Sequence, residues 1–417
     1  MTAESKKSAF YMGRGATSKT QSYTNRRLNP LMNSAGSTAG AGRPLHKLLL
    51  PSQLSRVPFA PLAELPTPVE SLSRLTRALG RPSDCAFIKR DDLSSPIYGG
   101  NKVRTLEVLF GTALAEGATH IFSTGSFGSN HATATVLHAP RVGLKPGVML
   151  FPQPESKAAL DNLEVVLSQH PRTYVLPHWS ALPFGMWLLR GMLRRRRERS
   201  MIMVPGGATP WGALGYVSAG LELAEQVAAG LLPPPSEIIL GVGSTCTSAG
   251  LLVGLDLAAR LGLAFRGSRR EAAIPRIVAV RVTPWPATSS FRIVALAVRT
   301  SKLLAVLTGD RSLAGRFWEF SRRLEVDRRF FGRGYGYPTK TGLEAIELFR
   351  RHVGIELDTT YSAKSAAALI ERVRRGAEGP LLFWSTKSTV PLPIVEPANL
   401  EWAPDRMRKW MDRARSA

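Results

Sequence analysis

Cysteine is nearly absent from this sequence, since Cys85 and Cys246 are the only two in 417 residues. So few thiols exclude a disulfide framework and are typical of a protein in a reducing compartment. Long apolar runs are missing as well. No stretch of 18 uncharged apolar residues occurs, which excludes a membrane-spanning helix. We therefore expect a cytoplasmic protein without a membrane span, whose 44% hydrophobic residues suffice for globular cores.

Acidic residues are also scarce. The chain has 31 Asp and Glu against 55 Lys and Arg, which gives a net charge of +24. Residues 1–58 contain a single acid, Glu4, and are rich in Ser, Thr, Asn and Gly. This composition predicts a disordered basic tail. An organellar transit peptide would share the paucity of acid, but amphipathic helical periodicity is not evident in this segment.

A second basic cluster, RRRRER at residues 194–199, follows an apolar run. Such a cluster could bind nucleic acid or an anionic membrane surface. It is more often the solvated end of a helix, where cations interact favourably with the helix dipole. We favour the solvated helix end because no recognised nucleic-acid motif accompanies the cluster. We therefore expect no specific nucleic-acid partner.

After residue 60, short apolar strands alternate with segments of helical periodicity. This alternation predicts an α/β fold of parallel sheets covered by helices on both faces. In such folds ligands lie at the carboxyl ends of the strands. The stretch 284–333 is basic and poorly patterned, and we assign no element to it. The predicted strands are 120–124, 147–151, 236–240, 277–282 and 381–384, and the predicted helices are 132–142, 222–229, 249–261 and 343–352.

One lysine, Lys102, stands in the sequence Gly-Gly-Asn-Lys at residues 99–102, after an apolar run and before residues at helical spacing. A glycine turn therefore places it near the start of a helix. Positive potential at that end lowers the cost of losing its own charge. A lysine that can be neutral is a nucleophile suited to Schiff-base formation. From local context alone, a solvated surface lysine is the commoner interpretation.

Two further turns carry candidate binding groups. Residues 241–247, GVGSTCT, follow a strand and precede a helix, so their backbone N–H groups could cradle a phosphate. Many α/β turns are glycine-rich, and the pattern alone is a weak signal. Ser129 and Asn130 also lie at a strand-to-helix turn. They could cap the helix, for which Ser and Asn are preferred, or donate polar groups to a ligand.

Four blocks in order, at 65–107, 129–132, 205–255 and 334–386, carry a resemblance to a known family. The sequence resembles pyridoxal-phosphate enzymes of the tryptophan-synthase-β fold type, in the branch of D-cysteine desulfhydrase and 1-aminocyclopropane-1-carboxylate (ACC) deaminase. The resemblance implies fold type II, with two α/β lobes, and a homodimer. The implied segments are a tail at 1–58, a large lobe from 59–103 and 214–395, a small lobe at 104–213 and a basic C-terminal segment at 396–417.

The resemblance also implies a cofactor, pyridoxal 5'-phosphate, and roles for individual residues. Lys102 would carry the cofactor, Asn130 would donate to its phenolic oxygen, and Ser129 would lie on the substrate side. Two tyrosines, Tyr335 and Tyr361, would line the active site. No metal ion is expected. The remaining cofactor-binding residues would be Gly241, Gly243, Ser244, Thr245, Cys246 and Thr247 around the phosphate, with Ser362 and Thr386 near the pyridine nitrogen.

Within this family, Ser362 stands where ACC deaminases carry glutamate, and His131 matches the desulfhydrase pattern. We therefore expect β-elimination from a small amino acid, as in D-cysteine desulfhydrase, giving a keto acid and ammonia. The alternatives are an ACC deaminase, a racemase on the same fold, and a diverged homologue that binds the cofactor without turnover.

Three departures from the family pattern accompany this expectation. Gly128 replaces a glutamine, Cys246 replaces a glycine, and the pair at 387–388 replaces two glycines. Lys387 could face the pocket and favour acidic substrates, or it could point to solvent.

Overall fold

A computed structural model describes residues 43–49, 53, 56–265 and 274–416. Two β-sheets organise these residues, one built from strands on both sides of the chain's middle and one built from the middle alone. The strands are β1 (Val69–Ser71), β2 (Ala86–Lys89), β3 (His120–Ser126), β4 (Lys145–Phe151), β5 (Arg172–Val175), β6 (Ser200–Ile202), β7 (Glu237–Val242), β8 (Arg276–Arg281), β9 (Leu324–Asp327) and β10 (Leu381–Trp384).

The larger sheet has the strand order β1-β2-β10-β7-β8-β9, and the smaller has the order β5-β4-β3-β6. Every pairing is parallel except that of β1 with β2. The central strands β2 and β10 are buried at every position, as expected for parallel strands that are covered on both faces. The predicted α/β fold with mostly parallel sheets is confirmed.

Helices cover both faces of the larger sheet. Alternate residues of β7 enter different cores: Ile238 and Leu240 pack into one, and Ile239 packs into the other. The α-helices named within the described residues are α1 (Pro44–Lys47), α2 (Ser73–Ala78), α3 (Asn101–Ala115), α4 (Asn130–His138), α5 (Lys157–Ser168), α6 (Leu182–Arg195), α7 (Pro210–Ala228), α8 (Cys246–Arg260), α9 (Ser290–Thr308), α10 (Phe317–Ser321), α11 (Lys340–His352), α12 (Ser362–Arg375) and α13 (Asp405–Ser416).

Two helices differ from the sequence-based expectation. The helix predicted at 222–229 is the last part of the 19-residue α7, whose glycines hid its first turns. One of them, Gly220, is required by packing, because a Cβ there would lie 2.9 Å from the carbonyl carbon of Gly254 on α8. The stretch 284–333, to which we assigned no element, contains the 19-residue α9.

The packed chain starts before the predicted tail boundary at residue 58. Leu45 and Leu49, in and just after α1, are 2% and 6% exposed and join the core around α7. The backbone N–H of Leu45 also donates to Ser218 Oγ at 3.3 Å. Residues 45–49, LHKLL, thus pack as an amphipathic segment, while residues 1–42, 50–52 and 54–55 of the predicted tail lie outside the described residues.

The basic C-terminal segment packs onto the part of the chain that forms the smaller sheet. Met407 and Trp410 of α13 are buried with residues of β4, α4 and α5. The indole N–H of Trp410 donates to the carbonyl of Gln153 at 2.7 Å. Across the described ranges, no helix combines the length and apolar character needed to cross a membrane.

Candidate active site

The turn before α3 fixes the position of Lys102. Gly100 precedes the helix with φ of +90°, a conformation that favours glycine. A Cβ on Gly100 would lie 2.6 Å from the carbonyl oxygen of Thr386, and one on Gly99 would lie 2.1 Å from that of Asp92. Both glycines are therefore needed for the turn to fit between the segment after β2 and the segment after β10. Lys102 is the second residue of the helix that follows.

Lys102 is partly buried and has few polar neighbours. Its ammonium group donates to Asn101 Oδ1 at 2.8 Å, and no carboxylate of the described chain forms an ion pair with it. Burial without a counter-ion lowers the pKa of Lys102 to about 8. About one tenth of this amine is therefore neutral at pH 7, and the neutral form is the one that a nucleophile requires.

Asn101 connects this lysine to the turn that leads into α8. Its Nδ2 donates to Thr247 Oγ1 at 3.0 Å, and its backbone N–H donates to the carbonyl of Thr386 at 2.9 Å. The sequence-predicted residues from three separate segments, Lys102, Thr247 and Thr386, thus converge on one residue, Asn101.

The turn at 241–247 leaves no room for side chains on its glycines. A Cβ on Gly241 would lie 2.9 Å from the carbonyl oxygen of Tyr361, and one on Gly243 would lie 3.0 Å from Tyr361 Cε1. Ser244 Oγ is buried and has no hydrogen-bond partner within the described part of the chain. An unpaired buried hydroxyl beside the N-terminus of a 15-residue helix is suited to binding an anion.

Cys246 is tolerated in this turn because it is already helical. It is the first residue of α8 and does not adopt a positive φ, so the position does not require glycine. Its Sγ donates to the carbonyl of Gly207 at 3.4 Å and lies 3.9 Å from Thr105 Oγ1. Burial raises the pKa of the Cys246 thiol to about 11, so it remains protonated.

Ser129 and Asn130 lie at the start of α4. Ser129 Oγ accepts the backbone N–H of Ala132 at 3.3 Å and so caps the helix. Asn130 Oδ1 accepts from the hydroxyl of Tyr98 at 3.0 Å and from Asn162 Nδ2 at 2.8 Å. Because the amide oxygen is occupied twice, the Nδ2 of Asn130 is the group left to donate to a ligand.

The two predicted tyrosines meet each other. The hydroxyls of Tyr335 and Tyr361 are 3.0 Å apart, and their rings pack edge to face. Burial raises the pKa of both phenols, that of Tyr361 well above its usual range. Both are therefore neutral and able to donate or pass on a proton.

Comparisons with known proteins identify the family to which the chain belongs. The protein-family profile described as "Pyridoxal-phosphate dependent enzyme" matches residues 60–383. The chain belongs to this family of pyridoxal-phosphate-dependent enzymes. It is 32% identical over 341 residues to the nocardicin C-9' epimerase of Nocardia uniformis subsp. tsuyamanensis, covering 81% of this chain and 94% of that protein.

Two other relatives narrow the branch. The D-cysteine desulfhydrase of Salmonella paratyphi C (strain RKS4594) is 32% identical over 359 residues, covering 82% of this chain and 96% of that protein. A solved structure described as an ACC deaminase homologue superposes with a TM-score of 0.66 at 26% identity, covering 87% of this chain and 98% of that one. The chain is a pyridoxal-phosphate enzyme of fold type II, as the sequence resemblance implied.

The residues present fit this cofactor. The unpaired Ser244 hydroxyl and the narrow glycine turn suit its phosphate, and the free amide N–H of Asn130 suits its phenolic oxygen. A neutral imidazole, that of His131, also lies beside Lys102. Burial lowers the pKa of His131 to about 3, and neither ring nitrogen has a partner among the described residues.

Ser362 has a different partner from the one expected. Its hydroxyl donates to Asp358 Oδ1 at 2.7 Å, and Asp358 also accepts the backbone N–H groups of residues 360–362. The Ser362 proton is therefore engaged, and only its oxygen lone pairs remain to face a pyridine ring. Its role next to the pyridine nitrogen stays a prediction.

Several residues of the site were missed by sequence reasoning. Tyr98, Asn101 and Asn162 carry no pattern of their own and are brought in by tertiary contacts. Asp358 could have been found, because an Asp followed by Thr-Thr-Tyr-Ser before a helix is typical of a capping turn. Gln153 lies against Gly128, the position at which the family pattern has a glutamine. Its Oε1 accepts the backbone N–H of Gly128 at 3.1 Å.

Proposed function

We propose that this enzyme catalyses β-elimination on a small amino acid, as the D-cysteine desulfhydrases do, releasing a keto acid and ammonia. The observation that carries the proposal is the partly neutral Lys102 near a turn whose buried Ser244 hydroxyl has no partner among the described residues. The 32% identity to a D-cysteine desulfhydrase supports the reaction class.

The proposed roles follow from the contacts of each group. Lys102 attaches the cofactor and then, once free, removes the proton from the substrate Cα. When bound, the cofactor withdraws electrons from the substrate Cα. The hydroxyls of Tyr335 and Tyr361 lie within hydrogen-bond distance of each other. This pair delivers a proton to the departing β-substituent. Loss of that group with its bonding electrons, followed by addition of water, leaves the keto acid and ammonia.

The pyridine end of the site supports elimination over ring opening. By the family resemblance Ser362 would lie at this end, where its hydroxyl, which donates to Asp358, would offer an oxygen rather than a carboxylate. A hydroxyl stabilises positive charge on the ring nitrogen less than a carboxylate does, so less electron withdrawal is available. Elimination requires less withdrawal because the leaving group takes the electrons. This makes ACC deaminase the weaker alternative.

Epimerisation is a second candidate because one relative, 32% identical, is a nocardicin C-9' epimerase. It would need proton return to Cα without loss of a β-substituent, and a neutral phenol such as Tyr361 could supply that proton. A homologue that binds the cofactor without turnover is the remaining alternative.

The deciding experiment compares products from D-cysteine, β-chloro-D-alanine and ACC under identical conditions, with cofactor supplied. We expect keto acid from the first two and little from ACC. Exchange of the Cα proton with deuterium from solvent, without keto acid, would indicate an epimerase. Faster release from ACC would reverse the ranking, and bound cofactor without any reaction would support the non-catalytic homologue.

We also propose a homodimer in the cytoplasm, in keeping with the family resemblance and with two unpaired thiols, Cys85 and Cys246. Sedimentation of the purified holoenzyme tests the dimer, because a monomer across the micromolar range would contradict it.

A further inference from the structure

We propose that Lys387 and Tyr98 form a second anion site in the pocket, so that the preferred substrates are amino acids with an acidic side chain. This inference rests on the proposed function, because it names the class of amino acid that the same site accepts. It concerns Lys387, which stands where the family pattern has a glycine.

Lys387 points into the protein rather than to solvent. Its Nζ lies 2.9 Å from the hydroxyl of Tyr98 and 4.8 Å from the centre of that ring. Tyr98 is only 2% exposed. A bridge between the backbones of Lys387 and Gly100 fixes Lys387 opposite a residue that lies two positions before Lys102. The ammonium group is thereby held at the wall of the active site.

The hydrogen bonds around Tyr98 have a defined direction. The hydroxyl of Tyr98 donates its proton to Asn130 Oδ1 at 3.0 Å, so its oxygen accepts from Lys387. An ammonium group has three N–H donors. Within the described residues, Tyr98 is the one acceptor found for Lys387, which leaves two donors available for a ligand.

The charge of Lys387 also lacks a close counter-ion. None of the described carboxylates forms an ion pair with it. Asp358 and Asp161 act on it only from a longer range, and each is engaged elsewhere: Asp358 caps α12 and Asp161 pairs with Lys157 at 3.1 Å. Although burial opposes the charged form, Tyr98 and these carboxylates raise the pKa of Lys387, so it is a cation at neutral pH.

An ammonium group with two free donors and no carboxylate in contact is suited to an anionic ligand. The site neighbours are tyrosines, asparagines and backbone groups, so a substrate carboxylate, phosphate or sulfonate is the group that would complete it. Because the interaction is made in a cleft and not in water, it should discriminate strongly between an acid and its neutral isostere.

The test uses matched pairs of substrates that differ only in charge: D-aspartate with D-asparagine, and D-glutamate with D-glutamine. Each is titrated into the holoenzyme, and the change in the visible absorption of the bound cofactor gives a dissociation constant. We expect the acid to bind roughly tenfold more tightly than its amide, about what one charged hydrogen bond contributes.

Two variants and a control complete the design. Lys387→Met should abolish the preference for acids, and Lys387→Arg should retain it. Lys302→Met, an exposed lysine of α9, is the control and should behave as the natural protein does. Equal affinity for acids and amides in the natural protein, or a preference that survives in Lys387→Met, would overturn the anion site.

The response to the amides separates the proposed anion site from the proposed action on amino acids. If the amides alter the absorption as strongly as the acids do, amino acids bind but the anion site is wrong. If no amino acid alters the absorption, D-cysteine included, the amino-acid substrate proposed above is wrong, and the anion site falls with it.

Discussion

Lys89 and Lys102 are both withdrawn from solvent near the carboxyl end of the larger sheet, but they differ in what surrounds them. Lys89 uses all three of its donors, on the Thr67 carbonyl at 2.6 Å, Glu222 at 2.6 Å and Gln226 at 2.8 Å. Lys102 has one acceptor among the described residues, Asn101. The first lysine is satisfied by the protein itself, and the second has donors to spare.

The surroundings of Lys89 form a closed ionic cluster. Arg104 contacts both Asp91 and Glu222, so two cations face two carboxylates inside the protein. Although burial alone would raise it, Arg104 and Lys89 hold the pKa of Glu222 at about 2. The cluster joins β2, α3 and α7, and it therefore positions the helix that carries Lys102. Paired charge serves structure here, whereas unpaired charge lies in the pocket.

The largest expected effect separates the two lysines by colour. Lys102→Ala should abolish covalent attachment of the cofactor, so any cofactor that the turn at 241–247 still binds is free, and dialysis should remove its yellow absorption. Lys89→Met should keep the colour, because Lys89 lies in the ionic cluster. Visible spectra before and after dialysis provide the measurement. A Lys102→Ala protein that stays yellow after dialysis would remove Lys102 from its proposed role.

For the free energy of unfolding, the ionic cluster should matter more than Lys102. Arg104→Met should lower the free energy of unfolding by about 3–5 kcal/mol, because it leaves two buried carboxylates short of a partner. Lys102→Ala should cost little, since it removes an amine that has no counter-ion. Urea unfolding of both proteins without cofactor, with the natural protein as reference, gives the comparison. Similar losses in the two variants would show that the cluster is not the structural element we infer.

These two regions also show what the sequence alone could predict. The Lys102 turn and the 241–247 turn are each continuous in sequence, so their positions at strand-to-helix junctions could be predicted locally, whereas their assignment to a cofactor came from the family resemblance. The contacts of Tyr98 with Asn130, and of Asn130 with Asn162, each span 32 residues and depend on how the strands and helices pack. No local pattern encodes such pairs, and the orientation of Lys387 was open for the same reason.

The 19-residue α9 is a different kind of omission. Ile293, Ala297, Thr300 and Leu304 are buried at helical spacing, so the periodicity was present in the sequence. The interspersed arginines and lysine on its exposed face hid the pattern. Basic composition describes the solvent side of a helix and does not exclude an apolar side.

A smaller effect is expected at the phosphate end of the site. Ser244→Ala should weaken cofactor affinity roughly tenfold, the contribution of one hydrogen bond to a charged group. Ser123→Ala is the matched control, because its hydroxyl is also buried without a partner but lies within β3. Equilibrium titration of cofactor into each protein gives the dissociation constants. Equal weakening by both changes would point to a general packing effect instead of a phosphate contact.

The smallest effect is in the pH dependence of cofactor attachment. Only the neutral amine of Lys102 reacts, and its pKa is about 8 because burial disfavours the charged form. The reactive fraction should therefore rise from roughly one tenth at pH 7 to one half at pH 8, about fivefold, and level off above pH 9. An ordinary lysine would gain about tenfold per pH unit until pH 10. The rate at which apoprotein develops colour with added cofactor measures this, with Nα-acetyl-lysine as the reference amine. A rate that keeps rising tenfold per pH unit above pH 9 would mean that the pocket does not lower the pKa of Lys102. The difference in surroundings between Lys102 and Lys89 would then have no effect on the reactivity of Lys102.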